Sequence, residues 1–139
     1  MRTRRTSPRT TRRSTTPKFE PATVNELSRI GLLAELPGEK LLELGRRMRR
    51  ENVGPGAAVV REGEGGDRFY VVLAGVFAVT QATMGPRRVL RPGDYFGEVA
   101  LAMDVPRTAS VRAMTPAVVA SCDRDTFDEL VRPLFADDD

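Results

Sequence analysis

The side chains with most capacity for chemistry in this 139-residue chain lie close together: Gly97 followed by Glu98, then Arg107 nine residues on, with Thr108, Ala109 and Ser110 behind it. The residues between are mostly apolar, and a charge in such a setting is costly to desolvate unless something pairs with it. The stretch reads as a strand end, Gly97, one helical turn from Glu98 to about Ala102, a loop, and a strand starting at Arg107. The N-terminus of that turn offers backbone N–H donors, and its dipole favours a negative ligand. Gly97 lets the main chain approach closely, and Pro106 disfavours helix at Val105 and so extends the chain toward Arg107. Arg107 then offers a fork of charge-assisted hydrogen bonds to phosphate oxygens, each worth about 1.5–3 kcal/mol. The amides of Thr108 and Ala109 sit beside it behind small side chains. Glu98 would repel a phosphate but accepts hydrogen bonds, so a neighbouring sugar hydroxyl suits it. An anion with an adjacent hydroxyl describes a ribose phosphate. The alternative is that Glu98 and Arg107 pair with each other in a barrel that holds no ligand.

Composition narrows the chemistry further. The chain has no histidine and one cysteine, Cys122, which excludes histidine triads, Cys-His pairs, zinc clusters and CxxC redox chemistry. No nucleophile or second carboxylate is evident beside Glu98 and Arg107, so binding without catalysis is expected. A lone cysteine and the lack of an apolar secretory leader point to a reducing cytoplasm. The longest apolar run, "FYVVLAGVFAV" at 69–79, is too short to span a bilayer.

The net charge of +3 hides an asymmetry: residues 1–18 carry seven of the 22 Lys and Arg and no acids, which leaves −4 on residues 19–139. Residues 1–20 read as a disordered basic tail of Arg, Thr and Ser, with "RRTS" at Arg4–Ser7 resembling a basic-directed kinase site. Such a tail can meet the phosphates of nucleic acid or anionic lipid, although it has no aromatic side chain to stack on bases. A single domain is expected over 21–135, ending in acidic residues 136–139.

Thr23 can cap a first helix with Glu26 as its capping-box partner, and a second helix should run from about Pro37 to Met48 with Leu41, Leu44 and Met48 on one face. From Arg49 the pattern changes to short β-rich runs broken by turn residues. Strands are expected at 58–61, 69–74, 76–80, 88–90, 109–113 and 117–123. Asp125 can cap a last helix carrying Phe127, Leu130, Val131 and Leu134, which Pro133 should end or kink. The fold expected is mainly β: a β-jelly-roll barrel with helices before it and a short helix after it.

"FGEVAL" (Phe96–Leu101) and "RTASV" (Arg107–Val111), at the spacing found here, resemble the two halves of the phosphate-binding cassette of cyclic-nucleotide-binding domains. The likeness runs from about Leu32 to Leu134 and includes the glycine rhythm of "PGAAVVREGEGGDRFYVVLAG" and "RPGDYFGE". It implies cAMP or cGMP as ligand, with no other cofactor and no metal. Arg107 would pair with the exocyclic phosphate oxygens and Glu98 with the ribose 2′-hydroxyl. The backbone of Gly97, Ala100 or Leu101, and Ala109 would complete the cradle, with Val99 also among the ligand-binding residues. Val79 and Arg88 fall where related domains line the purine, though Val79 reads equally as core, and a shift of register would turn Arg88 outward and Val89 in. Thr108 follows the arginine in relatives of either nucleotide preference and so decides nothing. Relatives continue into a longer lid helix, whereas "RPLFADDD" leaves a short cap from Leu134 or Phe135, an open pocket, or a lid from a partner. The module is expected to stand alone and to relay binding to an effector protein by population shift. Its alternatives are a scaffold of the same fold that no longer binds nucleotide and a nucleic-acid-associated regulator acting through the tail.

Overall fold

The apolar run at 69–79 crosses from one sheet to another at Gly75. A computed structural model describes residues 21–82, 85–103 and 106–135. Helix α1 (Val24–Leu27), a 3₁₀ turn (Leu33–Glu35) and α2 (Gly38–Arg47) precede strands β1 (Arg49–Val53), β2 (Ala58–Val60), β3 (Arg68–Ala74), β4 (Phe77–Gln81), β5 (Gly85–Leu90) and β6 (Tyr95–Phe96). Helix α3 (Glu98–Met103), β7 (Ser110–Ala113) and β8 (Ala117–Asp123) follow. The described chain ends in one helical run: α4 (Arg124–Thr126), a π-turn (Phe127–Val131) and α5 (Arg132–Phe135).

The strands form two antiparallel four-stranded sheets, β1-β8-β3-β6 and β2-β7-β4-β5. Apart from the β4–β5 hairpin, each successive strand crosses to the other sheet, as in a jelly roll. Side chains alternate across a strand. Tyr70, Val72 and Val119 of β3 and β8 therefore meet Phe77, Leu90 and Val111 between the sheets. Phe69, Val71, Ala120 and Cys122 point the other way, into a second core with Leu27, Leu33, Leu44, Leu101 and Phe127. Burial on both faces explains why β3 reads as an unbroken apolar run rather than an alternation.

The N-terminal capping box forms as expected, with Glu26 N–H donating to Thr23 Oγ1 and Thr23 N–H to Glu26 Oε1, each at 3.1 Å. Arg50 Nε also donates to Glu26 Oε2 at 3.0 Å. Burial works against the charge on this carboxylate, but the bonds from Thr23 and Arg50 outweigh it and hold the pKa below the ordinary value.

Three expectations need correction. Strand β1, "RRENV", has no apolar alternation and was not foreseen; it forms an edge by pairing with β8. Strand β5 starts at Gly85 rather than Arg88, since Pro86 is tolerated at a sheet edge and the bulge between Val79 and Thr80 absorbs a residue. The last helix is capped by Asp123, not Asp125: Asp123 Oδ1 accepts from Thr126 N–H at 2.9 Å. Pro133 lies within that helical run, which is described to Phe135. The π-turn widens the preceding turn, where the proline ring would otherwise meet a carbonyl. The basic tail at 1–20, its "RRTS", Val105 and the acidic end at 136–139 lie outside the described residues.

Candidate functional site

Strand β6 ends at Phe96, and the chain turns at Gly97 into α3. A left-handed φ of +98° allows this turn, but a second constraint acts at the same position. A Cβ there would stand 2.8 Å from Arg107 Nη1 and 2.9 Å from the Arg68 carbonyl oxygen. The sequence suggests room for a ligand at this glycine; in the structure the room is filled by the arginine.

Arg107 is not in a strand, since β7 begins only at Ser110. Its backbone is instead tied to the β2–β3 loop: Arg107 N–H donates to Glu64 O, and Gly63 N–H donates to Arg107 O, both at 2.9 Å. The side chain is 7% exposed and donates to Arg68 O at 2.9 Å through Nη2 and to Gly97 O at 3.3 Å through Nη1. Among the described residues no carboxylate lies within ion-pair distance of it, so the paired Glu98–Arg107 alternative is not what forms. Burial pushes the Arg107 pKa down, with Tyr70, Asp67 and Glu98 acting against that. An arginine stays cationic under such a shift. Among the described residues this buried guanidinium uses two of its five N–H donors, both on carbonyls, and its positive charge meets no carboxylate at ion-pair distance.

It opens on a cleft of about 410 Å³, within the range of small-molecule sites. Eight of the ten residues singled out in the sequence line it: Val79, Arg88, Gly97, Glu98, Val99, Arg107, Thr108 and Ala109. Val79 faces Arg88 in the β4–β5 ladder, and Val89, 36% exposed, turns away, which settles the register question for β5. Ala100 lies on α3. Leu101 does not face the cleft; it is 1% exposed in the helix-side core, and its carbonyl accepts from Arg124 Nη1 at 3.0 Å. Leu134 and Phe135 do not cap the cleft: both pack on that same core, with Phe135 edge-on to Tyr95 at 5.6 Å.

Val60, Gln81, Phe96 and Val111 also line the cleft and were not anticipated. Period-two spacing from Val79 to Gln81 and from Ala109 to Val111 carried that signal. Gln81 braces the cassette's second half, its Nε2 donating to Thr108 O at 2.8 Å. Among the described residues Glu98 is the only carboxylate on the cleft wall, and it makes no hydrogen bond or ion pair with any of them. The cleft wall thus carries the Arg107 guanidinium and the Glu98 carboxylate together with the apolar side chains of Val60, Val79 and Val111 and the polar ones of Arg88 and Gln81.

The sequence profile of the cyclic nucleotide-binding domain matches residues 50–133, more than half of the chain. The chain belongs to the cyclic nucleotide-binding domain family. This domain is a regulatory, non-catalytic module. A cAMP-dependent protein kinase regulatory subunit of Yarrowia lipolytica is 40% identical over 110 residues, covering 78% of this chain and 29% of the relative. A cGMP-dependent protein kinase of Caenorhabditis briggsae is 35% identical over 117 residues, covering 80% of this chain and 16% of the relative. The chain thus spans less than a third of the length of these two curated relatives. Among solved structures, the regulatory domain of Toxoplasma gondii protein kinase A crystallised with cAMP superimposes with a TM-score of 0.75 at 31% identity, covering 80% of this chain and 44% of that one. No helix among the described residues is long and apolar enough to cross a membrane.

Proposed function

We propose that this domain binds a cyclic purine mononucleotide, cAMP or cGMP, and relays occupancy to a protein partner. The observation that carries the reading is Arg107: a buried cation with no carboxylate partner among the described residues, facing a cleft of nucleotide size. In this reading the guanidinium holds the cyclic phosphate and Glu98 accepts from the ribose 2′-hydroxyl. Backbone groups of Gly97, Val99, Ala100, Leu101 and Ala109 complete the cradle, Thr108 flanks the phosphate end, and Val79 and Arg88 line the purine end. Relatives named for both cAMP- and cGMP-dependent kinases support the ligand class without choosing the base, and they favour a protein kinase as the listening partner.

Calorimetric titration of nucleotide-stripped protein with each ligand tests this directly. Arg107→Ala should weaken binding about 100-fold or more, as expected for the loss of two charge-assisted bonds. Glu98→Gln should cost about 10-fold with the ribose ligand and little with its 2′-deoxy analogue. Absence of heat with both nucleotides at millimolar concentration would overturn the reading and leave the fold as an interaction scaffold.

A further inference from the structure

Two carbonyls hold the terminal nitrogens of Arg107, and an aromatic face meets the guanidinium from a third direction. Arg107 Cζ lies 6.0 Å from the centroid of the Tyr70 ring, at the distance where the ring quadrupole attracts a cation. Tyr70 pairs with Phe96 in the β3–β6 ladder, and the two rings stack in parallel, 4.9 Å apart with an interplanar angle of 2°. Phe96 immediately precedes Gly97, so the stack that faces the guanidinium also anchors the strand end from which the cassette departs. Tyr70 itself is 9% exposed and does not line the cleft.

We propose that Tyr70 is a positioning residue for the anion site, acting through Arg107 without touching the ligand. Two hydrogen bonds from Nη1 and Nη2 leave the guanidinium plane free to pitch about the line between their acceptors. A ring against one side removes that freedom and fixes the direction in which the remaining donors meet an anion. The inference rests on reading the cleft as an anion site, and its test separates the two.

The Arg107 Nε–H resonance is recorded in ¹⁵N-labelled, nucleotide-free protein for the wild type, Tyr70→Phe, Tyr70→Leu and a variant with a pentafluorophenyl ring at position 70, which keeps the shape and inverts the quadrupole. Each is then titrated with cAMP and cGMP. Tyr70→Phe should keep the ring-shifted resonance and bind within about twofold of wild type, while Tyr70→Leu and the fluorinated ring should lose the shift and bind about 10-fold more weakly, with the barrel amide spectrum retained. An unchanged Arg107 resonance in Tyr70→Leu and the fluorinated variant overturns the proposal whatever the titrations give, as does an equal loss of affinity in Tyr70→Phe. Should Tyr70→Leu not fold, the fluorinated ring decides alone. If the wild type binds neither nucleotide, the functional reading falls, and the resonance still decides whether the ring orients Arg107.

Discussion

A methyl group at position 97 would stand 2.8 Å from Arg107 Nη1, on a backbone at φ +98°. Two separate costs follow, and they can be told apart. A side chain in the left-handed region costs about 1–2 kcal/mol wherever it occurs. Displacement of the guanidinium occurs only here. Gly56 provides the control, because its φ is +86° while an added Cβ would meet nothing within 4 Å. Gly56→Ala should therefore lose stability in urea without loss of nucleotide affinity. Gly97→Ala should lose a comparable or larger amount and also bind at least about 10-fold more weakly by calorimetry, since the anion's main partner has moved. Equal affinities in the two variants would mean that Arg107 tolerates displacement and does not act as a fixed anchor.

The C-terminal helical run turns on which of two aspartates caps it. Asp123 ends β8, opposite Arg68 in the ladder, and caps α4 at once, leaving no linker between strand and helix. Its carboxyl is held below the ordinary value, first by the bond from the Thr126 backbone and then by that from its side chain. Asp123→Ala should cost about 1 kcal/mol in urea denaturation, whereas Asp125→Ala should stay within roughly 0.5 kcal/mol. A depressed carboxylate contributes fully above its unfolded pKa and loses that contribution as the pH falls through the folded one. Asp123→Asn keeps a capping oxygen but cannot titrate, so it should flatten the acid limb of stability while nearly matching wild type at neutral pH. The same residue marks how far elements were legible in the sequence. The bounds of β8 and the first capping box could be read because apolar runs and the Thr23–Glu26 spacing encode them locally. The cap of α4 could not, because two acids two positions apart satisfy the same local rule and only the strand register chooses between them. Strand β1 stayed hidden because β8 supplies the reason for its extension, and no charged run states its partner.

At the scale of the whole molecule, the cassette and the helical layer share one core. Leu101 of α3 packs in the cluster that holds Cys122 and Phe127. Arg124, at the head of the last helical run, donates to Leu101 O at 3.0 Å and to Gly66 O at 3.3 Å. The cleft residues were readable from their motif spacing, but this linkage was not, since it depends on which face of α3 turns inward. Cys122 gives a direct measure of it. The thiol is fully buried, and burial pushes its pKa up to about 12, so neither access nor thiolate is available in the folded state. Labelling by a disulfide reagent must then proceed through opening of the helix-side core, at a rate scaled by the open population. If that opening also releases Leu101, it dismantles the cassette, and a nucleotide that binds only the closed form slows labelling by a factor of 1 + [L]/Kd. At a ligand concentration of 100 Kd the rate should fall about 100-fold in wild type and by no more than about twofold in Arg107→Ala at the same concentration. A wild-type rate indifferent to saturating nucleotide would show that the helices lift away while the cleft stays intact, and the shared core would then carry no coupling.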